Sequence, residues 1–477
     1  YKEVIVLSEY NSNISNDALS TLCEELRKNT QINPDFYQRF DVKRGLRNAD
    51  ATGVLAGLTR VCSVEGYYID DGEKVPKQGR LIYRGISMSD IVENCEKENR
   101  FGYEEVVWLL LFGSLPTMEQ LQWFCNLLAE CRDLPEDFIE DMIMKAPSPD
   151  VMNKCARSVL ALYSYDHNPD DISPENVLRQ SIQLIAQLPT IMTAAYQVKR
   201  RAYDKKSMFF HQNKKELGTA ENILRSIRPD KFFTDEEAKL LDICMIIHAE
   251  HGGGNNSTFA TRCVTSSGTD TYSAIAAGIG SLKGPRHGGA NIKVYKMIED
   301  IKNNVANITD EGQVADYLTK IMNKEAGDGS GLIYGMGHAV YTLSDPRAVI
   351  LRKYAESFSK NLGCEEEYIL LHLIETLTPE LFAKNRGSKK KICANVDLYS
   401  GLIYNMLGIP QDLFTPLFMA ARSAGWAAHR LEELTTGGRI IRPAYKNVTI
   451  PRAYVPISER IIRTEAVQKE YIPIEER

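Results

Sequence analysis

The chain is poor in the features that mark several large protein classes. No apolar run approaches the ~18 residues that a membrane-spanning helix needs; the longest candidate, Val106 to Phe112, predicts a short buried helix. Cysteine is sparse and scattered, ten in 477 residues with no Cys-x-x-Cys pair, which argues against a disulfide framework or a zinc site. A basic excess is missing as well. With 57 basic and 63 acidic residues and a net charge of -6, the composition does not fit a general nucleic-acid binder. A few local arginines could still hold a small anion. Gly278-x-Gly280 lacks the third glycine and the preceding strand of a dinucleotide fingerprint, and neither a Walker loop nor a Gly-x-Ser-x-Gly elbow occurs. The N-terminal residues match neither a secretory nor a transit pattern. The expectation is a cytoplasmic protein, with a processed mitochondrial matrix protein as the alternative.

Helical periodicity dominates what remains. Asn16 is placed to cap a segment with Leu19, Leu22, Cys23 and Leu26 on one stripe, and Met118, Leu121, Cys125 and Leu128 repeat the pattern. Ser173 before Pro174 reads as a cap with proline at the first helical position, and Pro189 marks a kink in that helix. Thr234 with Glu237 forms a capping box. The one β signal is a hairpin, in which Val61, Val64, Tyr67 and Ile69 approach an Asp71-Gly72 turn and Leu81-Ile82-Tyr83 returns. With no internal repeat, low-complexity tract or long linker, any domains share intimate interfaces. The length predicts two or three of them.

Two histidines and an aspartate stand in small-residue stretches of their own: His287 in Gly284-Pro285-Arg286-His287-Gly288-Gly289, His338 in Gly335-Met336-Gly337-His338-Ala339, and Asp397 in Asn395-Val396-Asp397. Glycine lets backbone or ligand come close, and imidazoles with a carboxylate move protons near neutral pH without a cofactor. Acid/base chemistry on a carbon acid is the expectation. His251 continues the stripe Leu240, Cys244, Ile247 and is expected on the inward face at a helix C-terminus, where incoming anions and the dipole meet. His248-Ala249-Glu250-His251 is not the His-Glu-x-x-His order of a zinc protease, so no metal is expected. Arg347, Arg422 and Arg442 each lie among apolar or small residues, the setting of a guanidinium that faces a carboxylate; together they suit a dicarboxylic acid. The run Lys389-Lys390-Lys391 is the densest positive patch, either a solvated loop or a phosphate contact.

Taken in order, these stretches resemble the citrate synthase family over most of the chain. The likeness is carried by Tyr83-Arg84-Gly85-Ile86, Val106 to Pro116, Tyr165-Asp166-His167, His248 to Ser257, Gly284 to Asn291, Gly335 to Arg347, Asn395 to Gly401 and Leu417 to Gly425. The resemblance implies a mainly α-helical two-domain fold with the small N-terminal hairpin. Its large domain would comprise residues 1–287 and 403–477, with a small domain over 288–402. It also implies a homodimer that condenses oxaloacetate with acetyl-CoA and hydrolyses the thioester to citrate and CoA, with no metal or other cofactor. On this likeness Asp397 is the base, His287 the hydrogen-bond donor to the thioester oxygen, and His338 the acid at the oxaloacetate carbonyl. His251, Arg347 and Arg422 would bind oxaloacetate, with Arg442 entering the partner subunit's site. Tyr334, Gly335, Met336, Gly337, Lys389 and Lys391 would touch CoA.

Some positions depart from the family pattern. Glu250 stands where many relatives have aspartate, Gly252 to Gly254 form an unusually glycine-rich loop, and the segment before about residue 75 is long. Three other readings share parts of this pattern: a 2-methylcitrate synthase using propionyl-CoA, a citryl-CoA lyase, and a non-catalytic paralogue. The lyase normally carries a CoA-ligase portion not found here. A non-catalytic paralogue would be expected to have lost at least one of Asp397, the two histidines or the arginines.

Overall fold

The sequence from Phe414 to Ala428 contains almost nothing that favours water, and a helix apolar on all sides must be enclosed by others. In the computed structural model, which describes residues 15–50, 52–386, 391–449 and 451–460, the Phe414–Thr435 helix is buried continuously from Phe414 to Arg430. The helices Tyr103–Phe112, Pro174–Ala202, Asp235–His248, Asn256–Thr265 and Thr271–Leu282 pack around it. The fold is mainly α-helical, as expected. Contacts gather the chain into two units, residues 55–441 and residues 1–54 with 442–477.

Local signals place most helix starts. Thr234 and Glu237 close the capping box of the Asp235–His248 helix, Ser173 caps Pro174–Ala202, and that helix runs through Pro189 as one element. Tyr103–Phe112 stops at Gly113, whose φ of 85° is left-handed. In the other unit, Asn16–Thr30 is capped one residue earlier than expected, by Ser15, whose side chain accepts the Ala18 amide. Both residues are good caps, and periodicity alone does not choose between them.

The hairpin forms where expected, with strands Cys62–Asp70 and Glu73–Tyr83 joined at Asp71 and Gly72, both at positive φ. A third strand, Ile86–Ser87, extends it to a three-stranded antiparallel sheet. The register slips between Glu65 and Tyr67, and Gly66 there lies so close to the segment after His338 that a Cβ would sit 2.6 Å from the Val340 carbonyl oxygen. On the return strand the Gly79 amide donates to Ser344 Oγ at 3.1 Å. The sheet therefore backs the 340–346 segment. Among the described residues no helix is long and apolar enough to cross a membrane.

Candidate active site

The stripe that placed His251 on a helix runs past the helix's true end. Asp235–His248 stops at His248, and the Tyr83 hydroxyl donates to the Ile246 and Glu250 carbonyls at 3.0 and 3.2 Å to seal that end. His251 lies three residues beyond, before Gly252 at φ 87°. Periodicity carried it inward while the backbone left the helix. It remains buried, and its Nε2 has no hydrogen-bond partner. Burial, with Arg347 and His338 adding to it, holds its pKa well below the ordinary histidine value.

His338 and Asp397 are tied together by backbone. The Gly337 amide donates to Cys393 O at 2.8 Å, Asn395 N to Gly335 O at 2.8 Å, and Asn395 Nδ2 to Gly337 O at 2.9 Å. Asn395 also caps the Val396–Met406 helix by accepting the Asp397 amide. The carboxylate thus rides on a helix N-terminus against the His338 loop. Gly335 and Gly337 adopt φ of 82° and 89°, which favours glycine. His338 Nδ1 accepts the amides of Val340 and Tyr341 at 3.0 and 3.1 Å, so the neutral ring carries its proton on Nε2. Tyr341 stacks on it at 4.6 Å, and His251 meets it edge-on at 5.1 Å. Asp397 Oδ1 is buried without a partner. Burial, with Asp345 adding and Arg347 opposing, pushes this carboxyl up to about 7.

His287 is set by a separate group of contacts. Its Nε2 faces the Ser257 amide at 3.4 Å and Ser257 Oγ at 2.9 Å, and Trp426 Nε1 donates to the same Oγ at 3.2 Å. An amide can only donate, so Nε2 presents its lone pair and Nδ1 keeps the proton. Burial, with Arg422 and Arg347 adding, pushes the pKa of His287 down to about 4. The ring is a neutral donor at physiological pH.

Two arginines supply the charge. Arg347 is clamped to Asp345 through Nε at 3.0 Å and Nη2 at 2.7 Å, and Asp345 caps the Pro346–Leu362 helix. Burial opposes this cation, but the Asp345 pair outweighs it and the pKa is raised. Arg422 is fully buried, with Nε on the His248 carbonyl at 2.7 Å and the guanidinium carbon 4.7 Å from the Phe418 ring centre. Its Nη1 and Nη2 have no partner. Burial, with Arg347 adding and Glu250 opposing, pulls its pKa down to about 10. A buried guanidinium with both terminal nitrogens unpaired suits an anionic ligand, since such groups are otherwise costly to bury. Among the described residues no group of three or more His, Cys, Asp or Glu side chains is arranged to hold a metal ion.

Five of the other residues named from sequence fall into three cases. Tyr334 leads into the His338 loop, its hydroxyl donating to Asp328 at 2.7 Å, and Met336 bridges to Ala394. Lys391 is exposed, and Lys389 lies outside the described residues. Arg442 is exposed and belongs to the unit formed with residues 1–54. Sequence reasoning missed Ser257, Trp426 and Asp345. The Ser344-Asp345-Pro346 cap was legible for Asp345, whereas nothing local marks the others.

The family model for the C-terminal domain of citrate synthase matches residues 46–444. The chain belongs to the citrate synthase family. The citrate synthase of a Synechocystis species is 34% identical over 86% of this chain and 93% of its own length. A 2-methylcitrate synthase of Corynebacterium glutamicum is 33% identical over 88% and 98%. The structure of Thermoplasma acidophilum citrate synthase in ternary complex with carboxymethyl coenzyme A and oxaloacetate covers 88% of this chain and 99% of that one, at 25% identity and a TM-score of 0.71. The family's enzymes are of a condensing type, and the mainly helical fold of this chain is that of its solved neighbours.

Proposed function

We propose that this chain is an acyltransferase that condenses oxaloacetate with acetyl-CoA and hydrolyses the resulting thioester to citrate and CoA. Asp397 removes a proton from the acetyl methyl group while His287 Nδ1–H donates a hydrogen bond to the thioester oxygen, stabilising the enolate, or the enol if that proton is passed across, as it forms. The enol carbon attacks the oxaloacetate carbonyl carbon, and His338 Nε2–H delivers its proton to the resulting alkoxide. Arg347, Arg422 and His251 hold the oxaloacetate carboxylates. The observation that carries the reading is the pairing of Asp397, with its sealed and unpartnered Oδ1, to the loop that fixes the His338 tautomer. The carbonyl-facing acid and the base are thereby set by one piece of backbone.

The remaining roles in this reading rest on the family likeness. They are a homodimer with Arg442 serving the partner's site, a small domain over 288–402 that closes on substrate, CoA contacts from Tyr334, Gly335, Met336, Gly337, Lys389 and Lys391, and no cofactor. The C. glutamicum relative supports a second reading, propionyl-CoA in place of acetyl-CoA, because one methylene in an apolar pocket changes discrimination by only ~1 to 3 kcal/mol. Thiol release from each acyl-CoA in the presence of oxaloacetate tests both. A higher kcat/KM with acetyl-CoA is expected; a preference for propionyl-CoA moves the assignment to 2-methylcitrate, and release from neither refutes it.

A further inference from the structure

Behind the site runs a line of charged side chains that the condensation does not use. Arg262 on the Asn256–Thr265 helix pairs with Glu432 and Glu433, each at 2.8 Å. Its Nη1 also reaches His429 Nδ1 at 2.9 Å, and His429 Nε2 meets Glu250 Oε1 at 2.9 Å. His429 and Glu250 are both fully buried. A guanidinium can only donate, so Nδ1 is a lone pair, the ring proton sits on Nε2, and Nε2–H donates to the carboxylate. Glu250 Oε1 accepts the Gly252 amide at 2.5 Å as well. From there the turn is continuous: Asn255 N donates to Gly252 O at 3.1 Å, and Ser257 Oγ lies 2.9 Å from Asn255 Oδ1. One end of this turn is His251, and the other is the serine whose amide and hydroxyl face His287.

We propose that His429 is a positioning residue, holding through Glu250 the turn from His251 to Ser257 and so setting both the oxaloacetate-facing imidazole and the anchor of His287. This role rests on the condensation proposed above. Burial opposes ionisation of Glu250, and the His429 bond, Arg422 and the Gly252 amide outweigh it, leaving its pKa below the ordinary value. The carboxylate therefore needs its donors. Losing one strands a buried charge.

The test compares His429→Gln, whose amide supplies an acceptor for Arg262 and a donor for Glu250, with His429→Leu, which supplies neither. The glutamine variant should keep kcat and the oxaloacetate KM within about threefold, whereas leucine should lower kcat and raise KM by about tenfold or more each. A purely structural role would lower the melting temperature of the leucine variant and leave both constants per folded site unchanged. That result, or a glutamine variant as impaired as leucine, overturns the proposal. Should the leucine variant not fold, protein labelled with [15N]histidine decides, with the His429 signals assigned by their loss in His429→Gln. A protonated Nε2 and bare Nδ1 are expected at pH 7.5; the opposite tautomer or an imidazolium contradicts the geometry. If the wild type released no thiol, the condensation would fail, while this tautomer and calorimetric oxaloacetate titrations of the three proteins would still decide the positioning role.

Discussion

Replacing Asp397 with asparagine should add stability while it removes the base. A carboxyl whose pKa is raised by burial from 3.8 to about 7 is ionised in the folded protein at a cost of about 4 kcal/mol. The sign follows from linkage. Between the unfolded value near 4 and the folded value near 7 the folded state holds a proton that the unfolded state has lost, so stability falls as pH rises through that window and then levels. Asparagine is exempt. Allowing half of the cost for relaxation leaves about 2 kcal/mol at pH 8, on the order of 2 °C in a chain of this size. Melting curves of wild type and variant at equal scan rates should coincide near pH 4, diverge toward pH 7 and remain apart at pH 8. A variant no more stable than wild type at pH 8 would refute the claim that the site holds this carboxylate against a desolvation cost.

Arg422→Leu should weaken oxaloacetate binding by about 2 to 5 kcal/mol, because two buried guanidinium nitrogens lose their role as charged donors. Calorimetric titration checks it, and an unchanged Kd would remove Arg422 from the site. Gly79→Ala should raise the oxaloacetate KM and cost ~1 to 3 kcal/mol of stability, since its Cβ would overlap the Ser344 carbonyl and sit 2.8 Å from the Tyr341 ring, which stacks on His338. Wild-type kinetics and melting in that variant would show that the hairpin does not support the 340–346 segment.

Much of the candidate site was legible because His287, His338 and Asp397 each stand in a short glycine-marked or cap-marked stretch, where local chemistry constrains local shape. The helices were legible for the same reason, through the Thr234 box and the Ser173-Pro174 start. What sequence could not supply was the pairing between stretches. Ser257 and His287 are 30 residues apart in sequence, and the Gly335 to Asn395 bonds join segments 60 residues apart. His251 shows the limit of periodicity: the apolar pattern continued past His248, but the Tyr83 hydroxyl and the turn at Gly252 ended the helix first. Both tautomers follow from backbone amides, which leave no mark in composition.

The most direct test of the proposed chemistry is thiol release by Asp397→Asn with oxaloacetate and acetyl-CoA, with oxaloacetate affinity measured calorimetrically on the same protein. Turnover should fall by ~10²- to 10⁴-fold, the usual cost of losing a general base, while oxaloacetate binds as it does to wild type. Near-full turnover in a folded variant that binds oxaloacetate normally would show that Asp397 is not the base.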